Sequence, residues 1–301
     1  MNFWKNDGLN LDVTSVSGTM MALQQVGGNQ VHFSGGGIEG VLQAKARGLP
    51  IVAVYAYGLP IYETVALSDS GITSYKDLKG KTIGIPDMSQ GSYPFARSAL
   101  KSAGLDPDKD VKWLAIGLGA SAVNALRNKE IDAWAVWDTG VAALENRGFK
   151  FVNIDPPWIN DTIGSVIFVH EDMAKNRPEE VTKFLRGLAK ATVFALTNPE
   201  ASVRNHWQMY PGTKPDVVNA ETMAASLNIF QSRVKKLRRL GDLKYGEIGE
   251  KQWERTVQGL IENKLLPADF NHKAAYTNRF IAGANDFKEA DVIEAAKQSK
   301  W

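Results

Sequence analysis

An α/β fold in two domains is what this 301-residue sequence predicts. Three observations carry the prediction. The length accommodates about two domains at roughly 150 residues each. Up to about residue 160, short β-branched or apolar runs alternate with stretches of helical periodicity. Strands separated by such helices imply parallel β-α-β units. Beyond residue 169 the helical patterns dominate to the end.

The elements follow in order. Leu11–Val16 reads as a strand and Thr19–Gln25 as a short helix stopped by Gly27-Gly28. Val31-His32-Phe33 reads as a strand, and Ile38–Arg47 as a helix closed by Gly48. Ile51–Tyr57 is β-branched and aromatic, hence a buried strand. Ser74 and Asp77 have capping-box spacing over one helical turn, Thr73–Leu78, with Gly80 as its stop. Strand Thr82–Pro86 follows, then a helix over Tyr93–Ala103 with Pro94 in its first turn. Strand Val111–Ile116, helix Ala120–Asn128, strand Ala133–Trp137, helix Thr139–Arg147 and strand Phe151–Ile154 continue the alternation. After strand Ile163–Val169, Pro178-Glu179-Glu180 opens a long amphipathic helix to Thr197, with Val181, Phe184, Leu185 and Leu188 on one face. Helices over Pro215–Ile229, Glu250–Asn263, His272–Ala282 and Asp291–Lys300 complete the chain.

Composition removes several classes of function. With 44% hydrophobic and 23% charged residues, the chain is globular in type. No cysteine is present, which excludes disulfides, thiolate-held metals and a thiol nucleophile. A net charge of +2 makes no electrostatic case for nucleic acid. No apolar run approaches the roughly 18 residues that cross a bilayer. Met1–Gly8 has neither a basic start nor an apolar stretch of signal-peptide type.

Four motifs are candidates for chemistry. Gly35-Gly36-Gly37-Ile38-Glu39-Gly40 matches G-x-G-x-x-G after a strand and before a helix. A dinucleotide site would need a carboxylate about 20 residues on, and Val54–Gly58 supplies none. The preferred reading is a glycine-rich strand-to-helix turn whose bare backbone approaches a small ligand. Asp87-Met88-Ser89-Gln90-Gly91-Ser92-Tyr93 is a second such turn, suited to an oxyanion or polar group, or simply to capping by Ser89 or Ser92. In Trp134-Ala135-Val136-Trp137-Asp138, Trp134 reads as core, and Asp138 falls at the strand end where open α/β sheets place ligands, so that Trp137 and Asp138 are either ligand contacts or a structural cap. Tyr55, Tyr57 and Tyr62 gather at another strand end, as pocket wall or as buried core. The histidines, His32, His170, His206 and His272, lack metal-ligand spacing. Arg233, Lys235, Lys236, Arg238 and Arg239 read as a solvated helix face, with an acidic docking partner as the lesser alternative.

Several segments resemble a known family. Phe3-Trp4-Lys5-Asn6-Asp7-Gly8-Leu9-Asn10-Leu11-Asp12-Val13 is similar to the G-F/Y-F-K-x-E-G-L-x-V segment of ABC-transporter solute-binding proteins for sulfonates, nitrate, bicarbonate and thiamine pyrimidine precursors. Ser74-Tyr75-Lys76-Asp77-Leu78-Lys79-Gly80-Lys81-Thr82-Ile83-Gly84 resembles their S-x-x-D-L-K-G-K-x-I-G signature. Ala125–Ala133 resembles A-L-x-x-G-x-I-D-A. The resemblance implies a type II periplasmic-binding-protein fold, two lobes each with a mixed sheet flanked by helices, and a helical C-terminal segment. It implies lobe 1 from residues 1–62 plus 167–301, and lobe 2 from 63–166, with ligand in the cleft between them. Carried over by position, the contacts are Ser34, Gly35, Gly36 and Tyr57 on lobe 1. On lobe 2 they are Ser89, Gln90, Gly91, Ser92, Trp137 and Asp138, the last standing where many members have Glu.

The function so implied is capture, without catalysis, metal or cofactor, of a small organic anion of the sulfonate or taurine type. The protein would act as a monomer outside the cytoplasm, in the periplasm or at the cell surface, and deliver its ligand to an ABC permease. An aminopyrimidine or other small heteroaromatic ligand is the alternative, and a pyrimidine-forming or NAD-dependent enzyme a weaker one. Family members carry a signal peptide and a first strand before the segment matching Phe3–Val13, so the 301 residues are expected to be an incomplete copy. Direct pairing of Leu11–Val16 with Val31–Phe33 would overturn that expectation.

Overall fold

The computed structural model describes residues 2–237, 239 and 241–299. Arg238 of the basic cluster and Lys300 of the last expected helix lie outside them. Eight strands are present among the described residues: β1 (Ser34–Gly37), β2 (Ile51–Tyr57), β3 (Tyr62–Leu67), β4 (Thr82–Ile85), β5 (Lys112–Ala115), β6 (Ala133–Trp137), β7 (Phe151–Asn153) and β8 (Ser165–His170). The helices of the first half are α1 (Phe3–Asn6), α2 (Gly18–Gly27), α3 (Ile38–Ala46), α4 (Ser92–Ser102), α5 (Ala120–Arg127) and α6 (Asp138–Glu145). Those of the second half are α7 (Glu171–Asn176), α8 (Pro178–Thr197), α9 (Pro199–Met209), α10 (Ala220–Val234), α11 (Glu250–Glu262), α12 (Ile281–Ala284) and α13 (Glu289–Gln298).

The strands make two separate sheets. One has the order β1-β8-β2 and the other β5-β4-β6-β3-β7. Each sheet is buried on both faces, and the period of two along its strands sorts side chains between them. Val52, Val54, Ile167 and Val169 face a core with Val181, Leu185 and Val193 of α8. Their neighbours Ile51, Ala53, Val166 and Phe168 face α2, α3 and Trp253 of α11. In the second sheet, Ile83, Ile85 and Ala133 pack on Phe95, Ala99 and Leu100 of α4. Val65, Trp134 and Val136 pack on α5 and α6. This is the two-sheet, helix-flanked architecture that the sequence predicts.

Pairing differs from the expectation of parallel units. β4 is parallel to both β5 and β6, joined by helical crossovers. β3 runs antiparallel to β6 and β7, and the first sheet is antiparallel throughout. β3 carries no strong strand signal, because Glu63 and Thr64 interrupt it, yet it lies between β6 and β7 and Thr64 is fully buried.

The N-terminal expectations need correction. Leu11–Val16 is not a strand, and most of it is exposed. Val31–Phe33 is likewise irregular, and the two segments do not pair. The strand lies one step later, in Ser34–Gly37, which pairs with β8 through backbone groups alone. Gly36 is needed there because α2 crosses it closely. A Cβ on Gly36 would stand 2.8 Å from Thr19 Cγ2. Phe33 stacks on Phe184 of α8 at 3.9 Å instead of joining the sheet. Further along, α7 and α9 are additional helices, and His272–Ala282 divides into a 3-10 turn, His272–Ala275, and α12.

Two crossover segments join the sheets, one between β2 and β3 and one between β7 and β8. They touch at Pro60 and Gly164. A Cβ on Gly164 would lie 2.2 Å from Pro60 Cα, a backbone atom that cannot turn aside. Gly164 also accepts the Ile38 N–H at 3.0 Å, fixing it against α3. We expect Gly164→Ala to lower stability by about 1–3 kcal/mol through overpacking, measured as a reduced urea midpoint with an unchanged m-value.

Candidate functional site

Where the two sheets face each other, a cavity of about 560 Å³ opens between them. Its wall on the first sheet is Gly35 and Gly36 of β1 with Gly18 and Thr19 at the start of α2. The crossovers contribute Tyr57, Ile61, Tyr62 and Ser165, and the second sheet Gln90, Trp137 and Thr139. Arg233 and Leu237 close it from the end of α10. Local sequence explains these positions. Gly18 has φ +79°, which turns the chain into α2, and Thr19 Oγ1 accepts the Gly37 N–H at 3.2 Å. The two sides nearly meet: a Cβ on Gly18 would stand 3.2 Å from the Ser89 carbonyl oxygen of the opposite turn.

A buried charge cluster stands behind one wall. Arg233 donates to Asp138 from Nε at 2.9 and 3.1 Å and from Nη2 at 2.7 Å. Lys236 donates to Glu63 and lies 3.8 Å from Asp138. Asp138 is 2% exposed and also accepts the Thr139 N–H at 2.7 Å. Its own N–H donates to the Ile61 carbonyl at 2.9 Å, and the Leu59 N–H donates to the Lys236 carbonyl at 2.8 Å. The first crossover is thereby clasped between α6 and the segment after α10.

The aromatic hydroxyls of the cavity stay protonated. Burial pushes Tyr57 and Tyr62 up to about 12, with Arg233 opposing the rise in both. Tyr62 rests against Gly91, where a Cβ would stand 2.1 Å from its hydroxyl oxygen. Beneath Tyr62 lies Glu39, whose Oε2 is buried without a partner. Burial raises its carboxyl from the usual 4.5 to about 7, against a lowering backbone hydrogen bond. Ser165 Oγ is also buried without a partner, and Ser165 lines the cavity.

Of the sequence-derived candidates, the cavity gathers Gly35, Gly36, Tyr57, Gln90 and Trp137. Ser34 belongs to the same strand but is not on the wall, and Ser89 stands exposed beside it. Gly91 carries Tyr62, and Ser92 is fully buried with an unpartnered hydroxyl. Asp138 lies behind Arg233 and not on the wall. The expected outward N–H groups of the 87–92 turn are partly consumed. The Ser89 N–H donates to Asp87 Oδ1 at 2.6 Å, and the Gln90 N–H to the Asp87 carbonyl. Neither Ser89 nor Ser92 caps α4; Gly91 occupies that position. The glycines of β1 form the strand itself, not a turn after it, and Gly40 as well as Gly36 accommodates Thr19.

The reading of the basic cluster as a solvated face is corrected. Arg233 and Lys236 turn inward onto Asp138 and Glu63, and Lys236 is only 9% exposed. Lys235 remains exposed, and Arg239 lies over the Tyr245 ring at 4.9 Å. Sequence reasoning missed Thr19, Thr139, Ser165 and Arg233 as wall residues. Only Arg233 carried a signal, the density of cations at one helix end, and that signal does not reveal direction.

A family model described as NMT1/THI5 like matches residues 1–202. A chain named as a binding protein in Brucella abortus (strain 2308) is 27% identical over 272 residues, covering 89% of this chain and 82% of its own. The 4-amino-5-hydroxymethyl-2-methylpyrimidine phosphate synthase of Aspergillus parasiticus is 25% identical over 318 residues, covering 98% and 85%. Among solved structures, the alkanesulfonate-binding protein SsuA from Xanthomonas axonopodis pv. citri bound to MOPS superposes with a TM-score of 0.64. It is 19% identical and covers 85% of this chain and 84% of its own.

Two outcomes test this electrostatic arrangement. Asp138→Ala strands Arg233, while Lys236 keeps Glu63, and we expect a loss of about 3 kcal/mol, the low end for a broken buried pair because Arg233 is partly exposed. Replacing Arg233 by Met in the same protein should recover part of it in a double-mutant cycle. Glu39 predicts a pH dependence. Below about pH 4.5 it is protonated in both states. As pH rises to about 7, the unfolded chain releases the proton while the native chain holds it, so stability falls by about 3 kcal/mol across that window. Glu39→Gln should match the parent at pH 4 and exceed it at pH 8, leaving only the fall due to Asp155, also pushed up to about 7.

Proposed function

The chain belongs to the NMT1/THI5-like family, and from that premise we propose that it is the solute-binding component of an ABC importer for a small organic anion of the sulfonate type. The observation that carries this reading is the cavity between the two sheets, with Arg233 and the N-terminus of α2 on its wall. Its volume of about 560 Å³ lies in the range of small-molecule sites. A helix N-terminus and a guanidinium both favour an anionic head. Tyr57 and Trp137 offer apolar faces to the carbon body, while Thr19, Gln90, Thr139 and Ser165 offer hydrogen bonds. In this reading the lobes are residues 1–62 with 167–301, and 63–166. They close on the ligand by bending at the two crossovers, so that each supplies part of its contacts. The protein would work outside the cytoplasm with a membrane permease.

An aminopyrimidine ligand is the second reading, favoured by the flat rings of Tyr57 and Trp137. It would need an acceptor for ring N–H groups, and Asp138 is already held by Arg233 and Lys236. An enzymatic reading draws on the synthase relative. Against it, no histidine lines the cavity, and His32 is exposed outside it. Among the described residues, no group of three or more His, Asp or Glu could hold a metal ion.

Calorimetric titration with taurine, longer alkanesulfonates, MOPS, nitrate and a hydroxymethylpyrimidine separates the readings. We expect a sulfonate to bind one-to-one, with Trp137→Ala weakening it about tenfold or more. Binding of the pyrimidine alone would transfer the protein to the second reading. Turnover of any of them would refute a transport role.

A further inference from the structure

A second cavity, of about 470 Å³, shares no wall residue with the first. It lies between the 73–76 turn, the C-terminal half of α4 and the return crossover after β7. Its walls are largely apolar: Tyr75, Ala99, Ala103, Ile154, Pro157 and Trp158. One carboxylate lines it, Asp155. Asp155 is rigidly held. The Thr64 N–H donates to both its oxygens at 3.2 Å, and the buried Tyr75 hydroxyl donates to Oδ1 at 3.0 Å. No cation among the described residues pairs with it. Lys236, whose charge acts on it, is committed to Glu63 and Asp138. A fixed carboxylate without a counter-ion, at the wall of an apolar cavity, is a site for a positive charge.

We propose that this cavity binds a small monoamine, its ammonium on Asp155 and its apolar or aromatic body against Trp158 and the adjoining prolines. A metal ion is disfavoured, because one carboxylate supplies too few ligands. A diamine is disfavoured as well, because Lys76 stands exposed at the rim. The site also predicts its own pH dependence. Burial pushes the Asp155 carboxyl up to about 7, raised further by Glu63 and lowered by Thr64, Tyr75 and Lys236. Only the ionised form holds an ammonium, so affinity rises as pH passes upward through that value.

The test is calorimetric titration of the full chain with benzylamine, phenethylamine, tyramine and cyclohexylamine, with benzyl alcohol and a diamine as controls. One or more monoamines should bind one-to-one, with affinity rising about tenfold from pH 6 to pH 8, and the controls should bind at least tenfold more weakly. Asp155→Asn should abolish binding. Ala103→Phe, which fills the cavity and leaves Asp155 in place, should abolish it too, with circular dichroism verifying both folds. Taurine or MOPS in excess should leave the amine titration unchanged, which separates this site from the one between the lobes. No heat with any monoamine at about 10 mM, equal binding of benzyl alcohol, or full binding by Ala103→Phe would overturn the proposal.

Discussion

Two cations on one buried carboxylate set the geometry on which the rest depends. Asp138 lies at the start of α6, Arg233 at the end of α10, and Lys236 just beyond, paired with Glu63 of β3. Removing these charges from water is costly, and only close, multiple pairing offsets it. The arrangement therefore tolerates little displacement. It draws a segment from the C-terminal half of the chain onto the second sheet, and α10 follows. Along that helix, Asn146 donates to the Ala225 carbonyl at 2.8 Å, and Asn228 donates to Asn146 at 3.0 Å. The same pairing fixes which face of Arg233 reaches the cavity.

A third connection between the sheets follows, besides the two covalent crossovers. The crossovers alone would allow bending about Pro60 and Gly164. The α10 segment adds a contact that bending must carry along or break. Elsewhere the two sides meet through neutral partners: Gly18 comes so near the opposite turn that an added Cβ would stand 3.2 Å from the Ser89 carbonyl oxygen, and Lys101 of α4 donates to the Asn263 carbonyl while the Asn263 amide donates to Ser98 and Ser102. The two sides are thus unequal. Motion that opens the cleft meets least resistance at the Gly18 and Ser89 side, where no ion pair has to be separated.

Legibility in the sequence divides along physical lines. β2 and β6 were legible to the residue, because continuous apolar runs bounded by turns have few alternatives. The Ser74 and Asp77 capping box was legible because the chemistry is local. β1 was not: Ser34–Gly37 owes its strand to backbone pairing with β8, where Ser34 faces Phe168, 134 residues further on, and no side chain announces it.

 Pairing over that distance leaves no local trace in a run of glycines. Arg233 failed for a related reason. A cation at a helix end reads as solvated unless the carboxylate that takes it is known, and Asp138 is 95 residues earlier. Of the candidate wall, Tyr57 and Trp137 were legible because they end strands and Gln90 because it precedes a helix, whereas Gly35 and Gly36 were read as a turn and line the wall as part of β1 itself. Ser165 and Thr19 were not, since a lone hydroxyl carries no pattern.

The charge count bears on why an anion would be taken at all. Glu63, Asp138, Arg233 and Lys236 sum to zero, so the cluster has no net attraction for an anion at a distance. Preference has to come from placement. Asp138 is almost fully buried behind the guanidinium, whereas Arg233 is about a third exposed and stands on the wall. A ligand inside therefore meets the positive end of the pair first, at short range, where water is displaced and the field is least screened. The start of α2 contributes a second positive end from the opposite side. Asp138 then has one role under the proposed reading: it pays the desolvation of Arg233 in advance and holds its orientation, so that a ligand binds a guanidinium already in place.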